Sequence, residues 1–115
     1  MTFFTGTVVR GIGRGRQLGF PTANIKVAPE ITSDPGIYAG RVMIKEVAYL
    51  SALYLAGNNI IEAFIFDFSQ DIYDKEVKVE ILKKIRDKRD FENNKEAIEQ
   101  ITQDVVEIKE YLKIK

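Results

Sequence analysis

One change of period divides this chain, and it restricts the fold more than any single motif. Up to Lys84 the apolar residues come in short runs, partly alternating with polar ones and broken by Gly, Pro, Asn and Asp, the pattern of strands and turns. From Asn94 the spacing becomes three and four: Ile98, Ile101, Val105, Ile108 and Leu112 would lie along one helical stripe. Residues 2–10, 22–27, 36–44, 47–56, 60–68 and 76–84 read as six strands, rich in β-branched and aromatic side chains. Loop 28–35 carries two prolines, and Gly57-Asn58-Asn59 reads as a turn. Asn93 or Asn94 is the expected helix N-cap, with Glu96 in the first turn and Lys113 and Lys115 at the far end, as the helix dipole favours. Six short antiparallel strands in so small a domain close most simply into a barrel, which leaves no exposed edge. The helix would cover one side or one mouth. At 115 residues there is room for one core, so 1–115 is expected to be a single, mainly β domain.

Composition then narrows the chemistry. The chain has no cysteine and no histidine. That excludes disulfides, thiolate zinc sites, cysteine nucleophiles and a histidine base. Any general base must be a carboxylate, Lys or Tyr, and any metal site must be built from oxygens, which suits Mg²⁺. Seventeen basic residues balance seventeen acidic ones. This balance argues against a nucleic-acid-binding barrel and against an anionic membrane surface. The apolar runs are far shorter than the ~20 residues of a membrane span. The start, Met1-Thr2-Phe3-Phe4, lacks a basic leader and a long apolar region, so no signal peptide is expected and the location expected is cytoplasmic.

Four of the eight glycines fall in one loop, Gly11, Gly13, Gly15 and Gly19, interleaved with Arg14 and Arg16. Glycines let backbone N–H groups approach a ligand, and guanidinium groups bind phosphate. The glycine spacing is not that of a dinucleotide-binding turn, and no Gly-Lys-Ser/Thr closes the loop as in a P-loop. Pro21 follows, then Thr22 and Asn24, which on a strand share one face while Ala23 and Ile25 take the other. Their side-chain oxygens are hard donors of the kind Mg²⁺ accepts. Glu62 is the candidate base: in IIEAFIFDF it would share a face with Phe64, Phe66 and Phe68, which partly desolvates it. The plainer reading leaves a strand-end acid solvated, the Thr-x-Asn pair bonded to local backbone, the charged RDKRDF segment from Arg86 to Phe91 a solvated linker, and the helix stripe core packing.

Taken together, GRGRQLGFPTANI, PGIYAGRV, IEAFIFDFSQDIYDKEVKV and IRDKRDFENNKEAIEQITQD resemble, in order, the motifs of the riboflavin kinase domain family. That family occurs alone in eukaryotes and as the C-terminal part of bacterial bifunctional FAD synthetases. The resemblance spans nearly the whole chain. It implies a six-stranded antiparallel Greek-key β-barrel with a C-terminal α-helix, and the reaction ATP + riboflavin → FMN + ADP. By the same resemblance Thr22 and Asn24 correspond to the Mg²⁺–nucleotide ligands. Gly11, Gly13, Gly15, Arg16 and Gly19 correspond to the flap over the phosphates, and Glu62 to the base that takes the proton of the ribityl 5′-hydroxyl. Arg86 and Phe91 fall in the loop that closes over the flavin. The implied partners are riboflavin and ATP, with no nucleic acid and no membrane, and the implied state is a monomer. Three positions depart from the family pattern. Gly57-Asn58-Asn59 replaces a longer loop with a Pro-Thr-Phe segment, Lys88 stands where a Glu is usual, and Asp74 replaces the glycine of Leu-Tyr-Gly. The alternative is a flavin- or nucleotide-binding domain of the same family without turnover. No segment resembles the adenylyltransferase module, so FAD synthesis is not expected.

Overall fold

The computed structural model describes residues 2–11 and 18–113. Six strands and a helix follow one another: β1 (Thr2–Val9), β2 (Ala23–Val27), β3 (Gly36–Ile44), β4 (Val47–Leu55), β5 (Ile60–Ile65), β6 (Glu76–Asp87) and α1 (Asn94–Lys113). All strand pairs are antiparallel, and the barrel closes in the order β1-β2-β5-β4-β3-β6. β3, β4 and β5 are successive neighbours, and β6 then returns to lie beside β3, which makes the topology a Greek key. The expected architecture is therefore the observed one.

Period-two alternation fills the barrel. Val8, Ile25, Val42, Leu53, Ile61, Ala63, Val77 and Val79 point inward, and all are almost fully buried. A second, smaller core lies outside the barrel. There Ile37 and Ala39 of β3 meet Ile108 and Leu112 of α1, with Phe66, Leu82 and Ile85 packed around them. The helix thus covers one side of the barrel. Its start is capped by Asn93, whose Oδ1 accepts the N–H of Glu96 at 2.9 Å, one of the two caps expected. Its buried face runs through Ala97, Asp104, Ile108 and Leu112. Ile98, expected on the stripe, is exposed, because Ala97 takes the place against the barrel.

Two other expectations need correction. β5 ends at Ile65, and Asp67 turns the chain at φ 55°, so Phe68 leaves the face of Glu62 and packs instead against the barrel core and Tyr49. β6 runs three residues past Lys84, so Arg86 is a strand residue and not part of a linker. The register of β6 on β3 slips twice, between Ile37 and Tyr38 and between Ala39 and Gly40. Each slip leaves one extra residue on β6, Ile85 and Leu82, and both extra side chains pack on the helix side.

Candidate active site

The strand registers place five residues in one transverse row around the outer face of the barrel. Asn24 of β2 is opposite Glu62 of β5, Glu62 opposite Tyr54 of β4, Tyr54 opposite Ile37 of β3, and Ile37 opposite Arg86 of β6. Directly opposed residues share a face of the sheet. Register and alternation together make the row: the neighbours Ile25, Ile61, Leu53 and Leu55 face inward. Thr22, two residues before Asn24, joins the same face, and its hydroxyl donates to Glu62 Oε1 at 3.4 Å.

Between this face and α1 lies a cleft of about 480 Å³. Thr22, Asn24 and Glu62 line one end, and Arg86, Phe91 and Asp104 the other. Phe20, Tyr54, Phe64 and Val105 give it apolar walls. The Phe20 and Phe64 rings meet edge to face at 5.7 Å, and Phe64 meets Phe66 in the same way at 5.5 Å. Glu62 is half-buried there, beside Phe64 as the alternation required. The β6 end is firmly built. Arg86 Nε donates to Asp104 Oδ1 at 2.8 Å and its Nη2 to Oδ2 at 2.7 Å, while Nη1 donates to the Asp87 carbonyl at 3.0 Å. The guanidinium groups of Arg86 and Arg89 lie 5.8 and 5.1 Å from the Phe91 ring centre.

A second cleft, also of about 480 Å³, opens at the barrel mouth. Its floor is Val8, Ala63, Ile65 and Ile72, and its rim includes Gln70, Asp71 and Tyr73. The Arg10 guanidinium lies 4.3 Å over the Tyr73 ring. Next to it, Asp74 adopts φ 66°, the left-handed geometry that the glycine of the family motif supplies without strain. Thr22 lines both clefts. It stands at the entry to β2, where the two clefts adjoin.

The expected site residues sort as follows. Thr22, Asn24, Glu62, Arg86 and Phe91 come together in the outer cleft. Gly11 packs against the Asn24 carboxamide: a Cβ there would overlap Nδ2, so only glycine leaves that side chain its place. Gly19 turns at φ +88° just before Phe20. Gly13, Gly15 and Arg16 lie outside the described residues. Sequence reasoning missed Phe20, Arg89, Gln100 and Asp104. The signal for Asp104 was present, since it stands three residues after Ile101 and four before Ile108, on the buried face of the helix. Among the described residues no cluster of three or more acidic, His or Cys side chains could hold a metal, so Thr22 and Asn24 are the metal donors to weigh.

A closed barrel whose helix-covered cleft joins hydroxyl, carboxamide and carboxylate oxygens to aromatic walls is a small-molecule site with hard donors at one end. Comparison with known proteins narrows that class. The family model for riboflavin kinase, Flavokinase, matches residues 1–112, and the chain belongs to this family. It is 34% identical over 113 residues to an RNA-binding riboflavin kinase of Bacillus subtilis, covering 91% of this chain and 49% of that protein. It is also 34% identical over 120 residues to a bifunctional riboflavin kinase/FMN adenylyltransferase of the same organism, covering 95% of this chain and 38% of that protein. The chain thus spans half or less of these relatives. Among solved structures it is similar to the riboflavin kinase of Trypanosoma brucei, with a TM-score of 0.72 and 25% identity over 96% of this chain and 79% of the other. No helix among the described residues is long and apolar enough to cross a membrane.

Proposed function

We propose that this chain is a riboflavin kinase that transfers the γ-phosphoryl group of ATP to the 5′-hydroxyl of riboflavin, giving FMN and ADP. The observation that carries this reading is the sharing of Thr22 between the two clefts. Phosphoryl transfer needs two substrates held so that an alcohol oxygen and a phosphorus atom meet in line. The outer cleft, with its aromatic walls, suits an isoalloxazine ring. The mouth cleft, with Tyr73 at its rim and Pro21 and Thr22 along it, suits a nucleotide. The ribityl chain and the phosphates would then meet at Thr22, Asn24 and Glu62.

Mg²⁺ fits this junction. The donors are the Thr22 hydroxyl and the Asn24 carboxamide oxygen, hard neutral ligands of the sort that leave further positions for phosphate oxygens. The Gly11 backbone closes on Asn24 so tightly that a Cβ would displace it, which marks the carboxamide as a placed group. When bound, the ion supplies charge neutralisation at the phosphates. Glu62 is the base: it accepts the proton of the 5′-hydroxyl as that oxygen attacks, and the Thr22 hydroxyl orients its carboxylate at 3.4 Å. Gly13, Gly15, Arg16 and Gly19 provide N–H and guanidinium donors for the charge on the moving phosphoryl group. Arg86 and Phe91 border the flavin. The reading takes the protein as a cytoplasmic monomer. We assign no nucleic-acid ligand, because balanced charge lacks the basic excess on which phosphate-backbone binding draws.

The test is incubation with riboflavin, Mg²⁺ and either ATP or CTP, followed by separation of FMN from riboflavin. FMN formed only with Mg²⁺ and nucleotide supports the reading. Riboflavin bound tightly with no FMN after long incubation would leave a binding domain without turnover and overturn the kinase assignment.

A further inference from the structure

Asp104 exposes 3% of its surface and sits on a helix face otherwise made of Ala97, Ile108 and Leu112. A buried carboxylate is costly unless its oxygens are fully matched by donors. Here they are: Oδ1 accepts from Arg86 Nε and from Gln100 Nε2 at 3.0 Å, and Oδ2 accepts from Arg86 Nη2. Gln100 Oε1 accepts in turn from Arg89 Nη1 at 2.8 Å, and Arg89 Nη2 reaches Glu96 at 2.8 Å. The bonds form one line from the helix start, through the cleft wall, to the end of β6. A buried ion pair of this kind adds little net stability over a well-packed apolar pair, so stability alone does not account for it. What it fixes is orientation, since a bidentate carboxylate holds the guanidinium plane in one setting. Two guanidinium N–H groups of Arg86 remain beyond the bonds described, one on each terminal nitrogen.

We propose that Asp104, supported by Gln100, is a positioning residue for the aromatic substrate: it sets the Arg86 guanidinium at the end of the cleft opposite Glu62. Through Arg89 the same line ties the loop that carries Phe91 to α1. The proposal rests on the reading of the outer cleft as the flavin site. It goes further in assigning the helix a part in substrate recognition separate from its part in the core.

The experiment is a double-mutant cycle on the full chain, with riboflavin affinity read by quenching of flavin fluorescence and ADP affinity by calorimetry. Wild-type binding of riboflavin tests the site reading itself; without it that reading fails, whatever the variants do. Given that binding, D104N is expected to weaken riboflavin at least tenfold and ADP less than twofold. R86M should weaken riboflavin to a similar degree, and R86M/D104N no further than R86M alone, because Asp104 acts through Arg86. The riboflavin KM should rise in D104N with little change in kcat. Should D104N not fold, R86M/D104M replaces the ion pair by apolar packing and must keep ADP binding while showing the R86M deficit for riboflavin. Wild-type riboflavin affinity in D104N, additive losses in the double variant, or an equal fall in riboflavin and ADP affinity would each overturn the proposal.

Discussion

At the β2–β5 end of the row Thr22 reaches Glu62 across 3.4 Å, whereas at the β6–α1 end Arg86 meets Asp104 through two bonds of 2.7 and 2.8 Å. One end is loose and half-buried, and the other is bidentate and deeply buried. The difference matches what each end is asked to do. A group that takes a proton, or donates a lone pair to a cation, must keep bonding capacity for the substrate. A group that frames a ring must stay where it is. A single row across five strands accommodates both, because strand register spaces the side chains and their partners outside the sheet decide how firmly each is held.

Four changes probe that contrast. Glu62→Gln acts at the loose end and should lower turnover by about 100-fold or more, the scale of a lost general base, while leaving thermal stability nearly unchanged. Initial rates of FMN formation and a melting curve read the two effects, and equal turnover would remove Glu62 from the chemistry. Gly11→Ala puts a methyl group into the space of the Asn24 carboxamide. It should raise the Mg²⁺ concentration for half-maximal rate about tenfold, as loss of a supporting group around a metal commonly does. Asn93→Ala removes the α1 cap and should cost about 1 kcal/mol of stability, with no change in Mg²⁺ dependence, as read by urea unfolding.

The smallest effect is expected at Asp87, next to Arg86 but fully exposed. A hydrogen bond from the Lys84 ammonium and its charge hold the Asp87 carboxyl below its ordinary 3.8. The folded value is the lower one, so the pair's contribution is present above pH 3.8 and lost as pH falls through the folded value. Asp87→Asn should therefore change stability slightly at pH 7 and not at all in strong acid, where urea midpoints of the two proteins should coincide.

The parts of the fold visible in the sequence are those that obey one period. Thr22 and Asn24 follow period two, and their common face is legible in the alternation of the residues alone; that Glu62 joins them is set by the register of β2 on β5. Ile101, Val105, Ile108 and Leu112 follow the helical period, and all four meet the cleft or the outer core. What escaped either breaks a period or sits on one with a charge. Asp67 interrupts the alternation, so Phe68 changes sides. Asp104 is a charged residue on a buried face, and periodicity assigns charge to solvent unless its partner is known. That partner, Arg86, was expected beside the flavin but on a loop, because doubled residues on β6 disguise the end of the strand.

Those doubled residues amount to a parity rule. Val79 points into the barrel, and strict alternation from it would send Lys83 and Ile85 inward as well, taking an apolar side chain from under α1. One slip alone would bring both back to the helix side but turn Arg86 into the barrel. Two slips place Leu82, Lys83, Ile85 and Arg86 all toward the helix: Leu82 and Ile85 in the outer core, the Lys83 ammonium 5.0 Å from the Tyr111 ring, and Arg86 on Asp104. Any insertion or deletion in this stretch of β6 is therefore constrained less by length than by whether the count stays even.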